Sequence, residues 1–345
     1  MACYHPLYSY WRTLEDGSRE KVFANNHDLP FIEKDGHIYS EKIELPCGQC
    51  IGCRLDYSRQ WATRCVLEAQ QWQYNYFVTL TYNDSHVPYN KFQYVDYYTG
   101  ELCDDFALTL MPEDLQKFMK RLRINLKRKY NFPCDDSPGV RFYACGEYGS
   151  TTERPHYHLC LFNCPLPDLE AVANNFRGDV YYESEFLNDV WSDKYGPIGY
   201  VSVADLSYDC CAYVARYMTK KHKGKDVSYY DEHHIAPEFS RMSRKPGIAR
   251  SYFDKNSGKI YTFDEIIITG SDGKAKKVRP PRYYDLLFDI SSPEDMKRVK
   301  VKRISSGKLA RKQIEARTSL SRNEYLAVCE GNQLSKIKSL NRSKL

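Results

Sequence analysis

The hydrophobic period of the chain switches several times, and each switch marks a new element. Residues 54–73 put Trp61, Ala62, Cys65, Val66, Ala69 and Trp72 on one stripe, which predicts an amphipathic helix. The next run, Tyr74-Asn75-Tyr76-Phe77-Val78-Thr79-Leu80-Thr81-Tyr82, is β-branched and aromatic and stops at Asn83-Asp84, as a core strand does. After a loop rich in tyrosine (Tyr89, Tyr94, Tyr97, Tyr98), Met111-Pro112-Glu113-Asp114 opens a second helix. Its proline is in the first turn and its carboxylates lie at the positive end of the dipole. The apolar face of this helix is Leu115, Phe118, Met119, Leu122 and Leu126. The opposite face carries Lys117, Lys120, Arg121, Arg123, Lys127, Arg128 and Lys129.

Val140 to Cys145 and Tyr157 to Phe162 read as strands joined through Gly146-Glu147-Tyr148-Gly149-Ser150, and Gly199 to Leu206 as a further strand. A helix follows at Tyr213-Val214-Ala215-Arg216-Tyr217-Met218-Thr219-Lys220-Lys221. The strands follow one another too closely for repeated parallel crossovers, so the expected class is α+β, an antiparallel sheet with helices packed on one face. Residues 1–53 are broken by Gly17, Gly36, Pro46, Gly48 and Gly52 and read as irregular. Residues 223–291 are polar, with His233 and His234, and read as a peripheral extension. Ser292-Pro293-Glu294-Asp295 caps a long basic helical region. The expected organisation is therefore a Cys-rich segment 1–53, a main domain 54–222, the extension 223–291 and a basic tail 292–345.

Composition narrows the function classes. A chain of 345 residues, 42% hydrophobic and 14% aromatic, can bury a core. No charge-free apolar run approaches the roughly 18 residues of a membrane span, and Met1-Ala2-Cys3-Tyr4-His5-Pro6 lacks a secretory pattern. A cytoplasmic protein with no membrane partner is expected. Thirteen scattered cysteines fit a reducing compartment in which thiols pack or bind metal. The net charge of +5 is unevenly spread: residues 297–345 hold fourteen Lys or Arg against three Glu, a local +11 that leaves −6 for the rest. Such a tail suits a polyanion, or simply a solvated surface.

The chemistry concentrates in Arg154-Pro155-His156-Tyr157-His158. Two histidines one residue apart in a strand point the same way, and two neutral imidazoles can hold a divalent metal. Glu147, on the preceding hairpin arm, is a candidate third ligand, and such a set leaves positions open on Mg²⁺ or Mn²⁺. Hydrogen-bonded strand histidines are the competing reading. Tyr213 and Tyr217, at i and i+4, share a helix face about 5–6 Å apart at Cβ. A phenol with pKa of about 10 needs activation to act as a nucleophile, and Lys220 or Lys221 can favour the phenolate. Plain packing of an aromatic stripe is the alternative. Lys117, Lys120, Arg121 and Arg154 are candidate phosphate contacts. Cys47, Cys50 and Cys53 have C-x₂-C-x₂-C spacing, with Cys3 or His5 as a fourth ligand. Structural Zn²⁺, an iron–sulfur cluster and unligated thiols all remain open there.

Phe77-Val78-Thr79-Leu80-Thr81-Tyr82, Pro155-His156-Tyr157-His158 and Tyr213-Val214-Ala215-Arg216-Tyr217 resemble, in order, the three motifs of the HUH endonuclease superfamily. The nearest resemblance is to the replication initiators of gokushovirus-type microviruses, small single-stranded DNA phages. Cys47-Gly48-Gln49-Cys50-Ile51-Gly52-Cys53-Arg54 and Gly146-Glu147-Tyr148-Gly149 are similar to that family as well, and the likeness covers about residues 1–222. It implies a palm like an RNA-recognition module, metal ligation by His156 and His158, and catalytic tyrosines at Tyr213 and Tyr217. It also implies nicking of single-stranded viral origin DNA through a 5′-phosphotyrosine in a bacterial host, with host polymerase and helicase as partners. Transesterification keeps the bond energy in the tyrosine link, and the chain has no Gly-x-x-x-x-Gly-Lys-Ser/Thr loop for a fused helicase. The rival from another class is a non-catalytic zinc-containing single-stranded nucleic-acid-binding protein, which would survive Tyr→Phe at both positions.

Overall fold

The strand over Asn75–Thr81 has apolar or β-branched residues at nearly every position, because both of its faces are covered. It lies near the middle of a seven-stranded sheet in a computed structural model that describes residues 3–24, 29–133, 138–149, 151–174, 180–217, 227–270 and 273–339. The order across the sheet is Glu170–Asn174, Val180–Glu183, Val201–Asp205, Asn75–Thr81, Pro155–Phe162, Arg141–Tyr148 and Phe239–Met242. Every neighbouring pair is antiparallel. The chain divides into two compact units: Ser58–Arg303, which contains this sheet, and Met1–Tyr57 together with Ile304–Leu345.

Alternation sends Val78, Leu80, Tyr157, Leu159, Leu161 and Val203 to a first face. The helix Pro112–Tyr130 covers it with Leu115, Phe118, Met119, Leu122 and Leu126, and the short helix Glu185–Val190 adds Phe186, Leu187 and Val190. Each such side chain, once buried, contributes about 1.5–3 kcal/mol. The long helix begins with Pro112 and ends at Asn131, whose left-handed backbone (φ 51°) turns the chain out.

The second face carries Tyr143, Cys145, Cys160 and Phe162. Residues of the helices Ile51–Ala69, Tyr208–Tyr217, Arg250–Phe263 and Arg282–Ser291 pack there, among them Ala62, Cys65, Val214, Ala215, Phe253 and Tyr284. Helices thus cover both faces rather than the one expected. The stretch read as peripheral also differs: Phe239–Met242 is an edge strand of the main sheet, and Phe253, Ile260, Tyr261, Tyr284 and Phe288 are core residues. A buried ion pair binds this part in. The Arg141 guanidinium pairs with Glu68 and also donates to the carbonyls of Pro246 and Gly247, while Glu68 accepts from the Ala249 amide.

In the smaller unit, Arg19–Ala24, Leu7–Thr13 and Glu41–Leu45 form an antiparallel sheet in that order, and Ile32–Lys34 pairs with His37–Tyr39. Strands stand where irregular chain was expected, held over a small cluster of Tyr8, Tyr10 and Tyr39. The helical tail forms as expected, with Pro293–Glu315 followed by Arg322–Ser339. No helix among the described residues is long and apolar enough to cross a membrane.

Candidate metal and tyrosine site

The hairpin of Arg141–Tyr148 and Pro155–Phe162 is in a register that sets Glu147 directly opposite His156, with His158 diagonal to it on the same face. The Glu147 Oε1 atom lies 2.8 Å from His156 Nε2 and 3.0 Å from His158 Nε2. The three ligand atoms all fall within 4.8 Å of one another, so these side chains form a group able to hold a metal ion. Glu147 and His158 are buried at 2% and 6% exposure, whereas His156 keeps an open edge. Burial alone would raise the Glu147 pKa, but hydrogen bonds and charge from both imidazoles outweigh it and hold the carboxyl below its ordinary value.

The other ring nitrogens decide how well this group fits a cation. His156 Nδ1 lies 3.1 Å from the Arg154 carbonyl, which can only accept, so that nitrogen carries the hydrogen. A neutral ring then turns the Nε2 lone pair toward the carboxylate oxygen. Two acceptors 2.8 Å apart need a proton or a cation between them. His158 Nδ1 lies 3.0 Å from the Thr79 hydroxyl, which can accept from it and leave its Nε2 free to ligate in the same way. The donor set therefore fits a divalent ion.

The helix Tyr208–Tyr217 lies over this corner, anchored through Cys211, Val214 and Ala215. That anchoring brings the Tyr213 ring edge-on to His158 at 5.1 Å and to Phe77 at 6.1 Å, while Phe77 stacks on His158 at 5.5 Å. Tyr217 is the last residue of the helix. Its side chain, together with Lys220 and Lys221, lies outside the described residues.

The expected phosphate contacts are not gathered here. Lys117, Lys120 and Arg121 ride on the helix that covers the first face, across the sheet from Glu147, His156 and His158. Lys117 pairs with Asp114 at 3.1 Å, Lys120 is exposed, and Arg121 donates to the Val190 carbonyl at 2.7 Å. Arg154 does lie beside the site, bridging Asp84 at 2.8 Å and the Tyr82 carbonyl at 3.0 Å. Thr79 and Phe77 are functional neighbours that residue chemistry alone did not single out. The register of the strand would have found them, since Thr79 pairs with His158 and Phe77 is two residues before it on the same face.

The cysteines form a second group. Cys3, Cys47, Cys50 and Cys53 converge, with their sulfurs within 4.8 Å of one another. Among the described residues every cysteine is free of disulfides. His5, the alternative fourth ligand, instead pairs with Glu330 at 2.6 Å. The donor chemistry of both groups is compatible with metal use.

Comparison with known proteins agrees with this arrangement. The family of replication-associated proteins of the ORF2 type matches residues 75–222, a span that holds Glu147, both histidines and both tyrosines. Replication-associated protein ORF2 of Spiroplasma virus 4 is 34% identical over 288 residues, covering 83% of this chain and 79% of the relative. Replication-associated protein VP4 of Bdellovibrio phage phiMH2K is 30% identical over 273 residues, covering 79% and 76%. Replication-associated protein ORF4 of Chlamydia phage 1 is 28% identical over 199 residues, covering 56% and 43%. No solved structure matches the chain.

Proposed function

The chain belongs to the replication-associated (Rep) proteins of gokushovirus-type microviruses, and from that premise we propose that it initiates rolling-circle replication by nicking and rejoining single-stranded viral origin DNA. The observation that carries this reading is the placement of the Tyr213 ring 5.1 Å from His158, beside the convergent Glu147, His156 and His158. A nucleophile-bearing side chain next to a divalent-ion group is the arrangement that phosphodiester transesterification requires.

Glu147, His156 and His158 hold Mg²⁺ or Mn²⁺ in this reading, while Thr79 and the Arg154 carbonyl fix the ring orientations. When bound, the ion supplies Lewis acidity toward a non-bridging oxygen of the scissile phosphate. The phenol of Tyr213 loses its proton and its oxygen attacks phosphorus. A bond from tyrosine to the 5′-phosphate forms, and the bond to the 3′-oxygen breaks, which takes up a proton and leaves a 3′-hydroxyl. Lys220 and Lys221, one to two turns from the tyrosines in sequence, favour the phenolate by charge. The freed 3′-hydroxyl is the primer for a host polymerase. Tyr217 is the second nucleophile: it cleaves the regenerated origin while Tyr213 retains the first end, and attack by the new 3′-hydroxyl closes the circle without ATP.

The test is incubation of the full chain with a labelled single-stranded origin oligonucleotide, with and without Mn²⁺, followed by denaturing electrophoresis. A metal-dependent protein–DNA adduct, lost in the Tyr213→Phe/Tyr217→Phe double variant, supports the nickase. Retained binding with no adduct across a panel of origin fragments would instead favour a non-catalytic nucleic-acid-binding protein.

A further inference from the structure

The four-cysteine group takes no part in the nicking chemistry, and its geometry is specific enough to name an occupant. Cys47 Sγ lies 4.0 Å from Cys53 Sγ, and Cys50 Sγ lies 3.9 Å from Cys3 Sγ. Sulfurs bound to one tetrahedral ion at about 2.3 Å stand roughly 3.8 Å apart, which is close to this spacing. A disulfide needs about 2.05 Å, and sulfurs this close leave no room for the inorganic sulfides of an iron–sulfur cluster.

The backbone is arranged for thiolates as well. The Tyr4 amide donates to Cys50 Sγ at 3.3 Å and the Cys47 amide to Cys3 Sγ at 3.3 Å. Cys47 Sγ receives the amides of Cys50 at 3.3 Å and Gln49 at 3.4 Å. Amide hydrogens aimed at sulfur favour the charged form, and four thiolates at this distance need a soft cation among them.

We propose that Cys3, Cys47, Cys50 and Cys53 bind a single structural Zn²⁺ that clamps the start of the chain onto the first turn of the Ile51–Ala69 helix. The clamp supplies what the small sheet of this unit lacks. Its buried hydrophobic cluster is only Tyr8, Tyr10 and Tyr39, so metal binding contributes directly to its folding. The proposal is independent of the nickase reading, because none of its residues belongs to the tyrosine site.

Metal analysis of the full chain purified without chelator should give one zinc per chain. That zinc is retained in Cys103→Ser and in His156→Ala/His158→Ala, and lost in Cys47→Ser and Cys50→Ser. Should those last variants be insoluble, exchange of the wild-type chain into Co²⁺ decides the matter. A tetrahedral tetrathiolate cobalt spectrum supports the site, and its absence overturns it. Iron in place of zinc, a metal-free folded protein, or zinc undiminished in both cysteine variants also overturns the proposal.

Discussion

Thr79→Val removes one hydroxyl and keeps a β-branched side chain of nearly the same shape, so it probes the hydrogen bond to His158 with little change in packing. The Thr79 hydroxyl is 3.0 Å from His158 Nδ1, and His158 is only 6% exposed, so little water can replace the lost partner. Leaving a buried polar atom unpaired costs about 1–3 kcal/mol. Loss of a hydrogen bond behind a metal-ligating histidine typically lowers metal affinity about 10–100-fold, or roughly 1.4–2.7 kcal/mol. The ring would be free to rotate, and Nε2 would no longer be held 3.0 Å from the Glu147 carboxylate. Calorimetric titration with Mn²⁺ should therefore show a Kd weaker by about 10–100-fold. Nicking should fall at low Mn²⁺ and recover when the ion is raised by the same factor. Unchanged Mn²⁺ affinity in a normally folded variant, or lost nicking that saturating Mn²⁺ does not rescue, would refute the assignment of Thr79 as the residue orienting His158.

Other expectations follow from the same geometry. A Cβ on Gly199 would sit 1.9 Å from the Thr81 carbonyl oxygen and 2.7 Å from the Tyr82 Cα, so Gly199→Ala should lower stability by about 1–3 kcal/mol or more in urea denaturation and weaken Mn²⁺ binding, since Thr81 pairs with His156. Arg141→Met strands the buried Glu68 carboxylate and should cost about 3–5 kcal/mol, whereas the double variant Arg141→Met/Glu68→Leu should recover part of it; equal costs would deny that the charge matters. Glu147 has a depressed pKa, so its contribution to stability is complete above the unfolded value of about 4.3 and is lost as pH falls through the lower folded value. Glu147→Gln should accordingly differ from the wild type in chelator-treated protein near neutral pH and converge with it in acid; a constant difference would contradict this. Removing residues 297–345 should weaken DNA binding and flatten its salt dependence, and an unchanged slope would return that tail to ordinary solvated surface.

The central strands and the long helix were legible in the sequence because each carries a clean period. Leu115, Phe118, Met119, Leu122 and Leu126 recur at helical spacing, and Pro112 marks the start. His156 and His158 were legible for the same reason, since period two alone puts them on one face. Which face that is depends on the neighbours. Phe77 and Thr79 look outward-facing beside Val78 and Leu80 until helices close over both sides. The N-terminal strands escaped because Tyr8, Ser9 and Tyr10 of Leu7–Thr13 are all buried, which erases the alternation. Phe239–Met242 is too short, at four residues, to show a pattern, and it becomes a strand by pairing with Arg141–Tyr148. The helix Arg250–Phe263 is hidden by polar residues and by Gly258 in its interior. The cationic face of Pro112–Tyr130 was visible in the sequence, but its distance from the histidines is set by tertiary packing that no local pattern encodes.

The most direct measurement is mass spectrometry of peptides from the protein–DNA adduct formed on a single-stranded origin oligonucleotide in Mn²⁺. The account predicts nucleotide joined through its 5′-phosphate to the peptide bearing Tyr213 or Tyr217, with a free 3′-hydroxyl on the released fragment. Linkage to any other residue, or cleavage that yields a free 5′-phosphate with no adduct, would contradict it.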